Sequence, residues 1–372
     1  MTGIRILAAL AVYASHIGPP AGAPTFVSSF FTSGYCGVTL FFVLSGFVLA
    51  INYFDGFRRA NAGRTYNYFV ARIARVYPLY LLLTFYFVVR LHASGESIDG
   101  WWHNALAIQA WDPDVNRAFS FDPPSWSISV EFFLYACFPL LVPLLARLRR
   151  PRSTLLTAAA IAAGLAALAA WFVLIGQPYD PADPNSSHRW LYRMPLTRLG
   201  DFTLGILAAR LYVQTRGRES VARAGLPLIL GAAAVTVALM SWQGLVFTPW
   251  SWDVAYAVPA TIFIFGLAVA PSSWPARLLS LPSMILLGEA SYAFYLIHAP
   301  AISLLGAGQW AAGVSGTIVI LEALLLGAII AMAIGLHVAF ERPARVYIRR
   351  LFSSKRRSAQ VPSRGAAEPV PP

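Results

Sequence analysis

The sequence predicts an all-α polytopic membrane protein with about ten transmembrane helices, one short re-entrant or interfacial segment, and both termini in the cytoplasm. Three observations carry this. First, of 372 residues 58% are hydrophobic and only 12% charged, with mean hydropathy +0.61, whereas a soluble domain is about 25% charged. Second, apolar runs recur along the whole chain, most of them long enough to cross a bilayer as a helix. Third, the basic residues cluster in short loops on one side, as positive-inside bias requires.

Taken in order, the spanning runs are about 4–17, 34–54, 76–91, 126–146, 154–176, 196–213, 225–243, 253–270, 282–305 and 314–339. The first begins at once and is read as a span, not as a cleavable signal. The loop 55–75 carries Arg58, Arg59, Arg64, Arg72 and Arg75, and the loop after Leu145 carries Arg147, Arg149, Arg150 and Arg152. Both belong inside, so an even number of crossings lies between them. Runs 76–91 and 126–146 supply the two, and 101–111 is too short to cross. It is expected to lie on the outer side, held at the interface by Trp101, Trp102 and Trp111. Arg216, Arg218, Arg223, Arg277 and the C-terminal arginines also fall inside, and only Arg90, Arg117, Arg189, Arg193 and Arg198 fall outside. One membrane-embedded domain over 1–350 and a disordered cytoplasmic tail over 351–372 follow, with no internal repeat.

The net charge of +12 does not indicate nucleic acid, because the cations lie in inter-span loops and form no basic face. Cys36 and Cys137 sit in apolar segments without metal or disulfide spacing, and no metal site is expected.

Five segments place costly polar groups at membrane depth or at its rim. In RILAALAVYASH, Arg5 and His16 stand eleven residues apart. That is close to three turns, so they share a face about 16 Å apart along the axis. The plain alternative is a snorkelling arginine and a histidine at the span end. In GVTLFFVLSGFVLA, Gly37, Ser45 and Gly46 allow close approach of a helix or a ligand chain. In YFVARIARVYPLY, Arg72 and Arg75 share one face, suited to phosphate or to inner-side anchoring. PSWSISVEFFLYACFPLL puts Trp126 in the interface belt, followed by Ser127, with Glu131 just over a turn deeper. A lone carboxylate there needs a partner, and His16 is the expected one. In GEASYAFYLIHAP, Tyr292, Tyr295 and His298 recur on one face, and FERP places Glu341 where the last span ends.

In this order, R-x10-H, GVxxFFxxSGF, an arginine pair before YPLY, WSxxxE, SYxxYLxH and a closing ExP resemble the acyltransferase-3 family of integral membrane O-acyltransferases, over about residues 1–350. The resemblance implies transfer of an acyl group, acetyl above all, from acyl-CoA. The acceptor would be a hydroxyl of a sugar, a cell-envelope glycan or glycolipid, or a secondary metabolite. Acyl-CoA is then a co-substrate, with no bound cofactor. It implies His16 and Glu131 as catalytic residues and Arg5, Arg72 and Arg75 as donor-binding. Ser45, Trp126, Ser127, Tyr292, Tyr295, His298 and Glu341 would form the substrate pocket, and the cell inner or plasma membrane is the location. The extra C-terminal hydrolase-like domain of some members has no counterpart in the sequence given, so the membrane part is expected to act alone or with a separate partner. A multi-span transporter or flippase is the competing class, set aside because the charged groups form a base, acid and phosphate arrangement instead of a relay.

Overall fold

A computed structural model describes residues 1–58, 61–177, 179–304 and 316–352. The expected disorder of the tail falls on residues outside these, except at its first two positions. The helices are α1 (Ile4–Ile17), α2 (Thr25–Thr32), α3 (Gly37–Phe57), α4 (Ala62–Ala93), α5 (Trp101–Ala105), α6 (Val115–Ala118), α7 (Trp126–Leu145) and α8 (Pro151–Leu174). After them come α9 (Pro195–Thr215), α10 (Glu219–Ser241), α11 (Val254–Val269), α12 (Trp274–Leu278), α13 (Pro282–Leu304), α14 (Gly316–Leu336) and α15 (Arg342–Phe352). No strand occurs among the described residues.

The protein is an all-α polytopic membrane protein. Among the described residues, 7 helical stretches are long and apolar enough to cross a bilayer, and α1 and α11 are shorter apolar helices. Each of the ten predicted runs is occupied by a helix. Local chemistry sets several boundaries. Pro151 and Pro195 open α8 and α9 at the first turn, where a missing N–H costs nothing. The side chain of Asn61 accepts from the Arg64 N–H at 2.9 Å and caps α4. Gly18, at φ +80°, ends α1 two residues after His16.

Helix α9 is long enough to span but fails on apolarity, because Arg198, Asp201 and Arg210 lie within it. Arg198 and Asp201 have no exposed surface. The Arg198 guanidinium donates to Asp201 at 2.8 Å, Thr39 at 3.1 Å, and the carbonyls of Tyr192 and Trp252 at 2.6 Å each. Asp253 lies 3.8 Å away. One charged residue thus ties α9 to α3, to the turn before α9 and to the start of α11.

The crossing of α3 and α9 is backbone on backbone. A Cβ on Gly46 would lie 2.0 Å from the Phe202 carbonyl oxygen, and one on Gly205 would lie 1.9 Å from that of Val43. Gly37 meets Ala8 of α1 in the same way, at 2.3 Å. The small residues of GVTLFFVLSGFVLA therefore serve packing at Gly37 and Gly46. Gly205→Val is expected to destabilise the protein by about 1–3 kcal/mol or more through overpacking, seen as a lower Tm in detergent. An unchanged Tm would contradict this contact.

The segment 101–111 folds back against α4 and α7. Buried amides add to its anchorage. Trp101 and Trp102 are each 48% exposed, whereas Asn104 and Gln109 are fully buried. Tyr80 donates to the Asn104 carbonyl, and Gln109 donates to Tyr80 at 3.1 Å and to the Ser125 carbonyl at 3.0 Å. Buried amides, together with the Trp111 ring that meets Phe133 of α7 at 5.1 Å, tie this segment to the protein, because its polar backbone needs partners once it leaves water.

Candidate active site

Two cavities share a wall formed by Val38 and Tyr295. The larger, of about 320 Å³, is lined by Arg5, Arg72, Arg75, Arg345, Glu131 and Glu289. Thr2, Ser45, Ser127, Tyr135, Ser291 and Tyr292 add polar side chains, together with Tyr295 and Asn52. The smaller, of about 190 Å³, is lined by His16 with Tyr35, Trp126, Tyr192, Phe247 and Tyr295 among its aromatics.

Helix α1 links them. Arg5 lines the arginine cavity and His16 the histidine cavity, as the eleven-residue spacing predicts. The Arg5 Nε donates to Ser291 at 3.3 Å, and the guanidinium lies 5.9 Å from the centre of the Phe41 ring. Arg72 sits in an aromatic box. It donates to the Tyr53 hydroxyl at 3.2 Å and lies 5.4 Å from the Tyr53 ring, 5.9 Å from Tyr68 and 5.7 Å from Tyr135. Its buried Nε has no partner among the described residues. A guanidinium held by ring faces keeps N–H donors for an incoming anion.

Glu131 corrects the expected pairing. Its partner is Tyr135, whose hydroxyl donates to it, and it lines the arginine cavity. The helix repeat explains this. Five residues from Trp126 turn the side chain about 140° round the axis. Glu131 therefore joins Ser127 and Tyr135, four residues to either side, while Trp126 faces the histidine cavity.

The neighbour of His16 is His298. Their rings meet edge-on at 4.9 Å, with His298 Nε2 3.4 Å from His16 Nδ1. His16 Nδ1 lies 2.9 Å from the Val12 carbonyl, and His298 Nδ1 lies 2.6 Å from the Tyr295 carbonyl. A carbonyl can only accept, so both Nδ1 atoms carry protons, an assignment made from the hydrogen-bond network. The Nε2 of His16 then holds its lone pair free, and the Nε2 of His298 accepts from His16. Any imidazolium formed on His16 keeps two acceptors at its Nδ1–H.

Of the expected pocket residues, Ser45, Ser127 and Tyr292 line the arginine cavity, Trp126 the histidine cavity and Tyr295 both. Two do not line either. His298 stands behind His16, and Glu341 is turned away to bind His337 at 2.9 Å. His337 bridges to Glu289, 3.5 Å from its other nitrogen. This bridge was not anticipated, although His337 and Glu341 are four apart and face each other on any helix. A π turn, His337–Glu341, carries both inward.

A helical membrane body with a cationic cavity walled off from an imidazole pair by one tyrosine belongs to the class of membrane-embedded group-transfer enzymes. The chain is a member of the acyltransferase-3 family, whose acyltransferase-domain model matches residues 1–340. It is 30% identical over 387 aligned residues, 97% of this chain and 94% of the relative, to the acyltransferase MdmB of Streptomyces mycarofaciens. It is 24% identical over 328 residues to the O-acetyltransferase OatA of Staphylococcus aureus, covering 81% of this chain and 50% of that protein. A putative O-acetyltransferase of S. aureus strain COL is 23% identical over 333 residues, 82% of this chain and 50% of the relative. The chain thus spans about half the length of these two staphylococcal proteins. No solved structure matches. The protein is a membrane enzyme that transfers acyl groups.

Proposed function

We propose that the enzyme transfers acetyl from acetyl-CoA to a hydroxyl of a sugar, envelope glycan, glycolipid or secondary metabolite at the plasma (inner) membrane. The observation that carries this reading is the shared wall: Tyr295 and Val38 separate an arginine-lined cavity from one holding an imidazole with a free lone pair. In this reading ten helices cross, both termini lie in the cytoplasm, and the arginine cavity opens to that side.

The donor's phosphates meet Arg5, Arg72 and Arg75, and its pantetheine arm passes Ser45 toward Tyr295. The acceptor hydroxyl enters the histidine cavity. His16 Nε2 takes the hydroxyl proton as the oxygen attacks the thioester carbonyl. The new C–O bond forms, the C–S bond breaks, and the proton passes from His16 to the leaving thiolate. His298, facing His16 Nδ1, is a positioning residue. Glu131, hydrogen-bonded to Tyr135, acts among the donor-side arginines and not on the imidazole.

Arg72→Gln with Arg75→Gln is expected to raise the KM for acetyl-CoA at least about tenfold with a smaller change in kcat, since removing binding felt equally before and during reaction moves KM. Initial-rate kinetics on purified protein check this. An unaltered KM would remove these arginines from the donor site.

A further inference from the structure

The histidine cavity has an aromatic wall and no formal charge facing it. Among the described residues its lining contains no Asp, Glu, Lys or Arg, and His16 is the one titratable base there. The charged groups nearby are already committed. Arg198 spends four of its five N–H groups on Asp201, Thr39 and two carbonyls. Arg193 donates to the carbonyls of Asp112 and Pro113. Burial pushes the Asp122 carboxyl well above the usual carboxylate range. Burial, then Arg193 and Arg198, lower His188 to about 3, so that imidazole is neutral near pH 7.

Of the five side-chain hydroxyls of the wall, all but that of Tyr192 donate into the protein. Ser15 donates to the Val12 carbonyl at 2.7 Å, Thr32 to Ser28 at 2.9 Å, Tyr35 to Ser251 at 2.8 Å, and Tyr295 to Pro124 at 3.1 Å. What these groups offer a ligand is lone pairs. A carboxylate or phosphate, which brings acceptors only, would meet lone pairs on all four. A hydroxyl brings the matching donor.

The apolar side of the wall is fixed with effort. Phe247 adopts φ +56°, a left-handed backbone that non-glycine residues rarely hold. Its ring stacks between Tyr35 at 5.5 Å and Tyr179 at 4.7 Å. Trp126 and Tyr192 meet beside it at 4.8 Å. Aromatic side chains next to hydroxyl-accepting groups suit a ring that is apolar on its face and rich in O–H at its edge.

We infer that the acceptor is an uncharged sugar ring, and that the histidine cavity discriminates against anionic acceptors such as uronic acids or phosphorylated sugars. This rests on the acyl-transfer reading above. A charge moved into the cavity would lose its hydration without gaining a counter-charge. The preference is expected to reach at least about 100-fold in kcat/KM, since each factor of ten needs only about 1.4 kcal/mol.

The test uses purified full-length protein, acetyl-CoA, and matched pairs of methyl glycosides: glucoside, galactoside, mannoside and their uronate counterparts. Acetylated product is measured by mass spectrometry and acetyl-CoA binding separately by calorimetry. The expected result is acetylation of at least one neutral glycoside, with its uronate at least about 100-fold poorer. Thr32→Arg, which adds a cation at the cavity wall, is expected to shift the uronate-to-neutral ratio upward at least tenfold. Phe247→Gly, which relieves the strained backbone, is expected to keep acetyl-CoA affinity while raising the glycoside KM about tenfold. A uronate accepted within tenfold of its neutral partner overturns the inference, as does a ratio that Thr32→Arg leaves unmoved. If acetyl-CoA binds but no neutral glycoside is acetylated, the sugar assignment falls and the donor reading stands. If acetyl-CoA does not bind, it is the donor reading that falls.

Discussion

His16→Ala protein is expected to fold, to insert in the membrane and to bind acetyl-CoA normally, yet to lose roughly 10²–10⁴ of its turnover, the range general-base help supplies. The expectation follows from the environment of the imidazole. The Val12 carbonyl at 2.9 Å holds the proton on Nδ1, so Nε2 is the basic atom of a ring that lines the cavity. The two rings touch, but the tautomer of His16 is set by its own helix. His298→Ala therefore removes support for the charged imidazole without altering which nitrogen is basic. It is expected to cost less than His16→Ala, about tenfold in kcat, with the acetyl-CoA KM unmoved. Equal losses in the two variants would mean that the histidines act as one unit, and near-normal turnover in His16→Ala would exclude it as the base.

The second large effect is structural. Arg198→Met leaves Asp201 and Asp253 without their cation in a site with almost no solvent contact. Removing one partner of a buried ion pair typically costs 3–5 kcal/mol, because the remaining charge is stranded. Three hydrogen bonds that join α9 to α3 and to the turns before α9 and α11 go with it, along with the bond to Asp201 inside α9. A large fall in Tm and poor recovery of folded protein are expected. Adding Asp201→Asn should restore part of the loss, since it removes the stranded charge. A double variant no better than Arg198→Met alone would assign the effect to geometry and not to charge.

Much of the fold was legible because a bilayer imposes strong rules. Run length gave the helices, and the eleven-residue step from Arg5 to His16 gave one face with two ends, which the two cavities now occupy. Residues on one helix face were likewise foreseeable, as for Arg72 with Arg75 and for Tyr292 with Tyr295. Partnerships between helices were not. Depth alone suggested Glu131 for His16, but the rotation of α7 turns the carboxylate toward the arginines and leaves the place beside His16 to α13 and His298. Nor did hydropathy reveal that α9 hides a buried ion cluster, since Arg198 resembles an outer-loop cation until its four acceptors converge on it. The π turn that brings His337 between Glu289 and Glu341 has no marker in a pattern built on 3.6 residues per turn.

The division of labour between the two cavities is open to one direct measurement: calorimetric titration of acetyl-CoA into wild-type protein, His16→Ala, and the Arg72→Gln, Arg75→Gln double variant. The predicted result is an unchanged Kd in His16→Ala and a Kd at least about tenfold weaker in the arginine variant, each tenfold step being about 1.4 kcal/mol of lost phosphate binding. A His16→Ala protein that loses acetyl-CoA affinity while the arginine variant keeps it would contradict the assignment of donor and base to separate cavities.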